Sequence, residues 1–331
     1  MMEEMEARRL VAAEGKVLLE TGLVARTWGN VSCRVDRNHF VITPSGLDYE
    51  HMTPEDLVMM SIDTGEAVGN RKPSSEKGIH LAAYELKPET NYCIHTHQTY
   101  ATAIGLGGIT TLQVTKEEQE KLGGMCVASY GISSTKKLAK QVYQALQTGA
   151  NIIFMIHHGV LICGSSRKEA FERATLLEEI CYRNYRMPGD DRTLDPSAQH
   201  MISQVSNLRE GAQVVCTKET LAAAELGRSI PAQVDDMAQM IGKKIPFVNR
   251  ANSDEVVAAL DKCGAVLIKD VGIIVWDPLA EEREALKVLT QKAAIVYLHT
   301  QACHVKGTLG SIDVFLQHLI YRTKYAKQKN K

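Results

Sequence analysis

A chain of 331 residues with 38 basic and 39 acidic side chains is close to neutral, and 44% of it is hydrophobic against 23% charged. That balance gives no reason to expect a nucleic-acid partner, and no apolar run reaches the roughly 18 residues that a membrane span requires. The eight cysteines are scattered through apolar segments such as GVLICG with no CxxC pair, which predicts buried free thiols in a reducing cytoplasm.

The opening stretch MMEEMEARRLVAAEGKVLLE lacks the basic start and apolar core of a signal peptide. Residues 5–22 read as a helix with Leu10, Val11, Val17 and Leu18 on one face and Gly22 as the stop. NVSCRV and HFVITP, joined by DRN, predict two strands, and TPEDLV predicts a helix with Thr53 as N-cap and Pro54 in its first turn. LVMMSIDTGEAVG reads as a strand running into a turn, and residues 75–86 as a helix. A strand within YCIHTHQTYATAI follows, then a helix from near Gln98, and then helices in SSTKKLAKQVYQALQ and RKEAFERATLLEEICYRNY. Between those two helices, NIIFMIHHGVLIC is long enough for a strand, a tight turn at Gly159 and a second strand. Strands mixed with helices of this length imply a layered α/β domain over residues 1–188, with the cluster MPGDDRTLDPS at its end.

Residues 189–331 repeat part of that pattern. With Gly159 set over Gly272, FMIHHGVLIC lies on LIKDVGIIVW, and after a two-residue insertion EAFERATLLEEICY lies on EALKVLTQKAAIVY. Upstream, CIHTHQTYAT falls over VVCTKETLAA, so three segments match in the same order. In this alignment His95 falls on Cys216, His97 on Lys218 and His158 on Val271. The second part is therefore expected to be a smaller, degenerate α/β pseudo-domain without metal ligands, serving structure or an interface.

On a strand, side chains two apart share a face, so His95 and His97 point the same way about 7 Å apart, a workable spacing for two ligands of one metal. The HHG segment at 157–159 offers a third imidazole from another strand. Three imidazoles with an open fourth position describe a catalytic divalent ion, with zinc first and cobalt, manganese or iron as alternatives. The loops TWGNVSCR, ITPSG and KPSSE offer backbone N–H groups and short hydroxyls, and a helix beginning near Ser74 and Ser75 favours negative charge. Together with the histidines they point to a phosphorylated small molecule. Glu76 at that helix start suits either a general base working at carbon or a first-turn residue complementing the helix dipole.

The segments GNVSCR, ITPSG, KPSSEKGIHLAAY, CIHTHQTYATAI and IHHGVLICG, in this order and spacing, resemble the class II aldolase/adducin family, in particular its L-fuculose-phosphate aldolase type. The resemblance spans residues 5 to about 186. It implies a three-layer α/β/α sandwich, a metal held by His95, His97 and His158, a phosphate site from Gly29, Asn30, Ser45, Gly46, Ser74 and Ser75, and Glu76 as acid/base. It favours His158 over His157 as the third ligand. The related epimerases usually carry Asp where this chain has Glu76, which favours the aldolase branch.

The resemblance implies reversible cleavage of a ketose 1-phosphate into dihydroxyacetone phosphate and a small aldehyde. The alternatives are epimerisation or decarboxylation by the same chemistry, or an adducin-like interaction protein without catalysis. The family also implies a homo-oligomer with sites near subunit contacts. One departure stands out: the aldolases carry a tyrosine acid in a loop that here reads TTLQVTKEEQEKLGG. Lys116, Glu117 and Glu118, or Tyr297, Tyr321 and Tyr325 further on, are the candidates to replace it.

Overall fold

Alternation along the strands decides the architecture, because each strand presents apolar residues to both sides. In this computed structural model, which describes residues 2–24, 28–69, 71–188, 209–249 and 253–325, the chain divides into two units, Met1–Asn184 and Tyr185–Lys331.

The first unit runs α1 (Glu4–Glu20), β1 (Asn30–Arg34), β2 (His39–Ile42), β3 (Val58–Ser61), β4 (Ala67–Val68), α2 (Lys77–Leu86), β5 (Tyr92–Thr96), α3 (Thr99–Gly107), α4 (Lys116–Leu122), β6 (Met125–Ala128), α5 (Lys136–Leu146), β7 (Ile152–Met155), β8 (Gly159–Gly164) and α6 (Arg167–Asn184). Its eight strands form one mixed sheet in the order β4-β3-β2-β1-β5-β8-β7-β6, antiparallel throughout except for the β6–β7 pair. Val31, Cys33, Val41 and Ile94 pack with residues of α1, α3 and α6 on one face. Phe40, Ile42 and Cys93 pack with residues of α2 and α5 on the other. The period-2 strands are thus apolar on both faces, which gives three α/β/α layers as the resemblance implied.

Three local expectations change. The TPEDLV segment makes only a single 3-10 turn, Pro54–Asp56, closed by a capping box in which the Asp56 carboxylate accepts from the Thr53 N–H. The helix read from Ser75 begins at Lys77, so Glu76 stands just ahead of the first turn. α4 and β6 went unread, because a seven-residue polar helix and a four-residue strand beside a Gly-Gly pair carry too little periodicity.

The second unit runs β9 (Gln213–Val215), α7 (Lys218–Glu225), β10 (Ile230–Pro231), α8 (Asp235–Met240), β11 (Lys244–Ile245), β12 (Phe247–Val248), α9 (Ser253–Cys263), β13 (Ala265–Ile268), β14 (Gly272–Val275), α10 (Ala280–Ala302) and α11 (Ser311–Ile320). Its main sheet, β12-β13-β14-β9, has the order and sense of β6-β7-β8-β5. Register refines the alignment read from sequence. Thr96 pairs with Val160 and Val215 pairs with Ile273, each partner being the residue after the glycine that opens its strand. Val214 therefore occupies the place of His95, and Cys216 that of His97. Helix starts agree, since Thr99 opens α3 and Lys218 opens α7. The earlier alignment was two residues off on this strand, and a slip of two preserves every inward and outward position, so the apolar pattern alone does not detect it.

All eight cysteines are free thiols, with Cys33, Cys93, Cys163 and Cys181 fully buried. Among the described residues no helix is long and apolar enough to cross a membrane.

Candidate metal and acid/base site

The strand β5 ends at Thr96, and the β7–β8 hairpin returns beside it, so the histidines meet where β5 and the hairpin turn lie side by side. The turn is tight: His157 adopts φ +66°, and the next strand opens on Gly159, where a Cβ would run into the Thr96 carbonyl. Glycine is required there by that close approach. The register Asn30↔His95 brings β1 to the same place, and at Gly29, φ +117°, a Cβ would lie 2.6 Å from the His95 carbonyl oxygen.

Four donor groups converge. His95 Nε2 lies 3.1 Å from His97 Nε2, 3.2 Å from His158 Nε2 and 3.0 Å from Glu76 Oε2, while Glu76 Oε1 lies 3.0 Å from His158 Nε2. A tetrahedral ion with bonds near 2.0 Å has donor–donor edges of about 3.3 Å, so this spacing fits one divalent cation. The chemistry fits as well. His95 Nδ1 lies 2.9 Å from the Val160 carbonyl, so Nδ1 donates there and Nε2 is the nitrogen turned inward toward an ion. Glu76, His95 and His158 are buried and His97 is half-buried. Sequence reading left the fourth position open; the structure puts the Glu76 carboxylate beside it. Burial works to raise the pKa of that carboxyl, but the attraction of His158 and His95 outweighs it and holds Glu76 well below the usual carboxylate range.

The serine loops are brought together by backbone bonds. Ser45 N–H donates to the Lys72 carbonyl and Ser74 N–H to the Thr43 carbonyl, both at 3.0 Å, which zips the ITPSG loop to KPSSE. Ser74 Oγ accepts from Glu76 N–H at 3.3 Å, so Ser74 leads directly into the carboxylate. Ser75 is exposed, and its hydroxyl accepts from Ser134 Oγ at 2.8 Å. Asn30 departs from the other five residues assigned to phosphate. Its amide nitrogen donates to Glu76 Oε2 at 3.3 Å and its oxygen faces His80 Nε2, so a buried carboxylate and a buried imidazole, rather than an open loop, occupy the side chain. Sequence reading missed His80. Burial, helped by the nearby His95, lowers its pKa to about 3, so it is neutral.

A family model described as Class II Aldolase and Adducin N-terminal domain matches residues 9–185. The chain belongs to this family. It is 32% identical over 174 residues to a 5-deoxy-D-ribulose 1-phosphate aldolase of Bacillus thuringiensis serovar kurstaki, covering 52% of this chain and 80% of that one. It is 28% identical over 193 residues to a 3-oxo-tetronate 4-phosphate decarboxylase of Haemophilus influenzae, covering 57% and 91%. A solved L-fuculose 1-phosphate aldolase superposes with a TM-score of 0.50 at 29% identity, covering 60% of this chain and 95% of that one. The class II aldolase match contains every site residue named above and stops where the second unit begins.

Of the candidates to replace the loop tyrosine, Glu117 and Glu118 have partners close by. Glu118 accepts from Thr115 N–H as a helix cap and from Arg183, which hold its carboxyl below the ordinary range, and Glu117 pairs with Lys121. Tyr297 and Tyr321 belong to the second unit, and the side chain of Tyr325 lies outside the described residues. A tyrosine that sequence reading passed over, Tyr130, stands edge-on to His157, with centroids 5.2 Å apart, beside His158.

Proposed function

We propose that this class II aldolase-family chain is a metal-dependent lyase that reversibly cleaves a ketose 1-phosphate into dihydroxyacetone phosphate and a small aldehyde. The observation that carries the proposal is the Glu76 carboxylate set across two of three converging imidazole nitrogens, at the end of the zipped serine loops. His95, His97 and His158 hold the ion, with zinc the first expectation and cobalt, manganese or iron its alternatives. Once bound, a divalent ion supplies Lewis acidity that favours the enediolate form of the three-carbon fragment.

The remaining work falls to the chain itself. Ser45, Gly46, Ser74, Ser75 and the Gly29 turn anchor the phosphate and fix the carbon skeleton beside Glu76. When the carbon–carbon bond breaks, its electron pair stays on the dihydroxyacetone phosphate carbon, and the hydroxyl on the departing carbon passes its proton by way of water to Glu76 as it becomes the aldehyde. Glu76 then returns a proton to the carbon that kept the pair, and removes it in the synthetic direction. The second unit is a partial repeat of the catalytic one with a structural or interface role, a reading supported by its matching strand order. The protein works in the cytoplasm as a homo-oligomer.

The test is deuterium uptake into dihydroxyacetone phosphate in heavy water, followed by NMR with metal-replete protein and with chelator. Metal-dependent exchange that vanishes in Glu76→Gln while the metal stays bound supports the proposal; no exchange from metal-loaded wild type overturns it. The decarboxylase relative supports a second reading, loss of carbon dioxide from a sugar-acid phosphate through the same enediolate, and product analysis separates the two.

A further inference from the structure

Behind Glu76 lies a buried polar ladder that none of the proposed chemistry uses directly. Glu76, just ahead of α2, and His80 and Tyr84 within it recur every four residues along one face, and Asn30 and Ser32 alternate on the face of β1 turned toward it. Asn30 links Glu76 to His80, His80 Nδ1 lies 2.7 Å from Ser32 Oγ, and Ser32 Oγ lies 2.8 Å from the Tyr84 hydroxyl. Every member is less than a tenth exposed.

The protons in this ladder follow from donor and acceptor chemistry. A carboxylate only accepts, so Asn30 must turn its NH₂ toward Glu76 and its oxygen toward His80. An amide oxygen has no proton to give, so His80 carries its hydrogen on Nε2. Its Nδ1 is then a bare acceptor for the only proton on Ser32, and the Tyr84 hydroxyl donates to Ser32 in turn. No member can reverse without placing two acceptors or two donors face to face in a site closed to water.

We infer that His80 is a positioning residue for the reaction: it locks the Asn30 amide so that its N–H is held on Glu76 Oε2. One carboxylate oxygen is thereby fixed, and the direction of the other, the one left to move a proton at carbon, is fixed with it. This rests on the assignment of Glu76 as the acid/base. Without His80 the Asn30 oxygen loses its partner and the amide is free to swing away from the carboxylate, and a misdirected carboxylate slows the chemical step on the order of 10²-fold. Phosphate anchoring and the three imidazoles are untouched.

The test compares wild type, His80→Leu and His80→Gln in the full-length, metal-loaded protein. Deuterium exchange into dihydroxyacetone phosphate is expected to lose kcat by ~30- to 100-fold in His80→Leu at unchanged KM and metal content. His80→Gln keeps an N–H donor and a carbonyl acceptor and is expected to recover most of the rate. Equal rates in all three, or a loss confined to KM, would overturn the inference. A second readout is independent of turnover: in protein labelled with ¹⁵N-histidine, His80 should show a slowly exchanging Nε2–H whose resonance moves in Glu76→Gln. A missing or unmoved resonance overturns the ladder even if catalysis proves different, whereas absence of exchange in wild type with the resonance present counts only against the aldolase reading.

Discussion

The sheets β5-β8-β7-β6 and β9-β14-β13-β12 share their strand order and sense, and each hairpin carries a residue in left-handed conformation two places before a glycine, His157 before Gly159 and Asp270 before Gly272. They part company at the positions that hold His95, His97 and His158 in one and Val214, Cys216 and Val271 in the other. Strand pairing, turn geometry and the close approach of backbone to glycine are held by apolar alternation and sterics, which survive in both. The candidate cation site differs between the two sheets by three side chains, so it can be present or absent on the same frame.

The largest expected effect separates the two sheets outright. His95→Ala should lower metal affinity by more than the ~10- to 100-fold that loss of an outer partner costs, while Cys216→Ala leaves metal content unchanged, as read by elemental analysis after dialysis. Next, Glu76→Gln should reduce proton exchange by roughly 10²- to 10⁴-fold with one metal equivalent retained, a split that no residue of the second sheet should reproduce. The glycines test the shared frame. Gly159→Ala and Gly272→Ala each push a Cβ into a carbonyl of the adjoining strand, Thr96 in one case and Val215 in the other, and should each cost about 3 kcal/mol in denaturant titration. Only Gly159→Ala should also weaken metal binding, and equal metal loss in both would break the comparison.

The smallest effect concerns pH and belongs to the first unit alone, because the second sheet has no strand beside β9 among the described residues to supply an Asn30. The folded-state pKa of His80 is depressed to about 3 against an ordinary value near 6.5, so the unfolded chain takes up the proton first as pH falls. Its contribution is full above about pH 6.5 and is lost toward pH 3, amounting to about 2 kcal/mol between pH 7 and pH 5. Urea midpoints of metal-free wild type should fall across that range more steeply than those of His80→Gln.

Much of this was legible in the sequence, and the rest was hidden for physical reasons. The HxH spacing placed His95 and His97 on one strand face, and the KPSSE segment placed Glu76 at a helix start, because period and turn chemistry are local. The sequence puts the Asn30 amide in an anion loop, since no local rule reveals that β1 lies against α2 and hands it to Glu76 and His80. His80 itself sat in plain view four residues beyond Glu76 but within an apolar helical stretch, where a histidine carries no signal until its partner is known. The two-residue slip in the repeat has the same origin: an alternating pattern is blind to even shifts, and only the pairing of Val215 with Ile273 fixes it.

The three imidazoles come from the end of β5, the residue just beyond it and the hairpin between β7 and β8, segments about 60 residues apart in the chain. An ion bound there is a cross-link as well as a reagent, closing a long loop of chain with coordinate bonds. With such an ion bound, the stability of the first unit would rise by about 1.4 kcal/mol for each tenfold excess of free ion over its dissociation constant. The described residues of the second unit hold no comparable donor cluster, so removal of metal is expected to lower the stability of the first unit and leave that of the second unchanged.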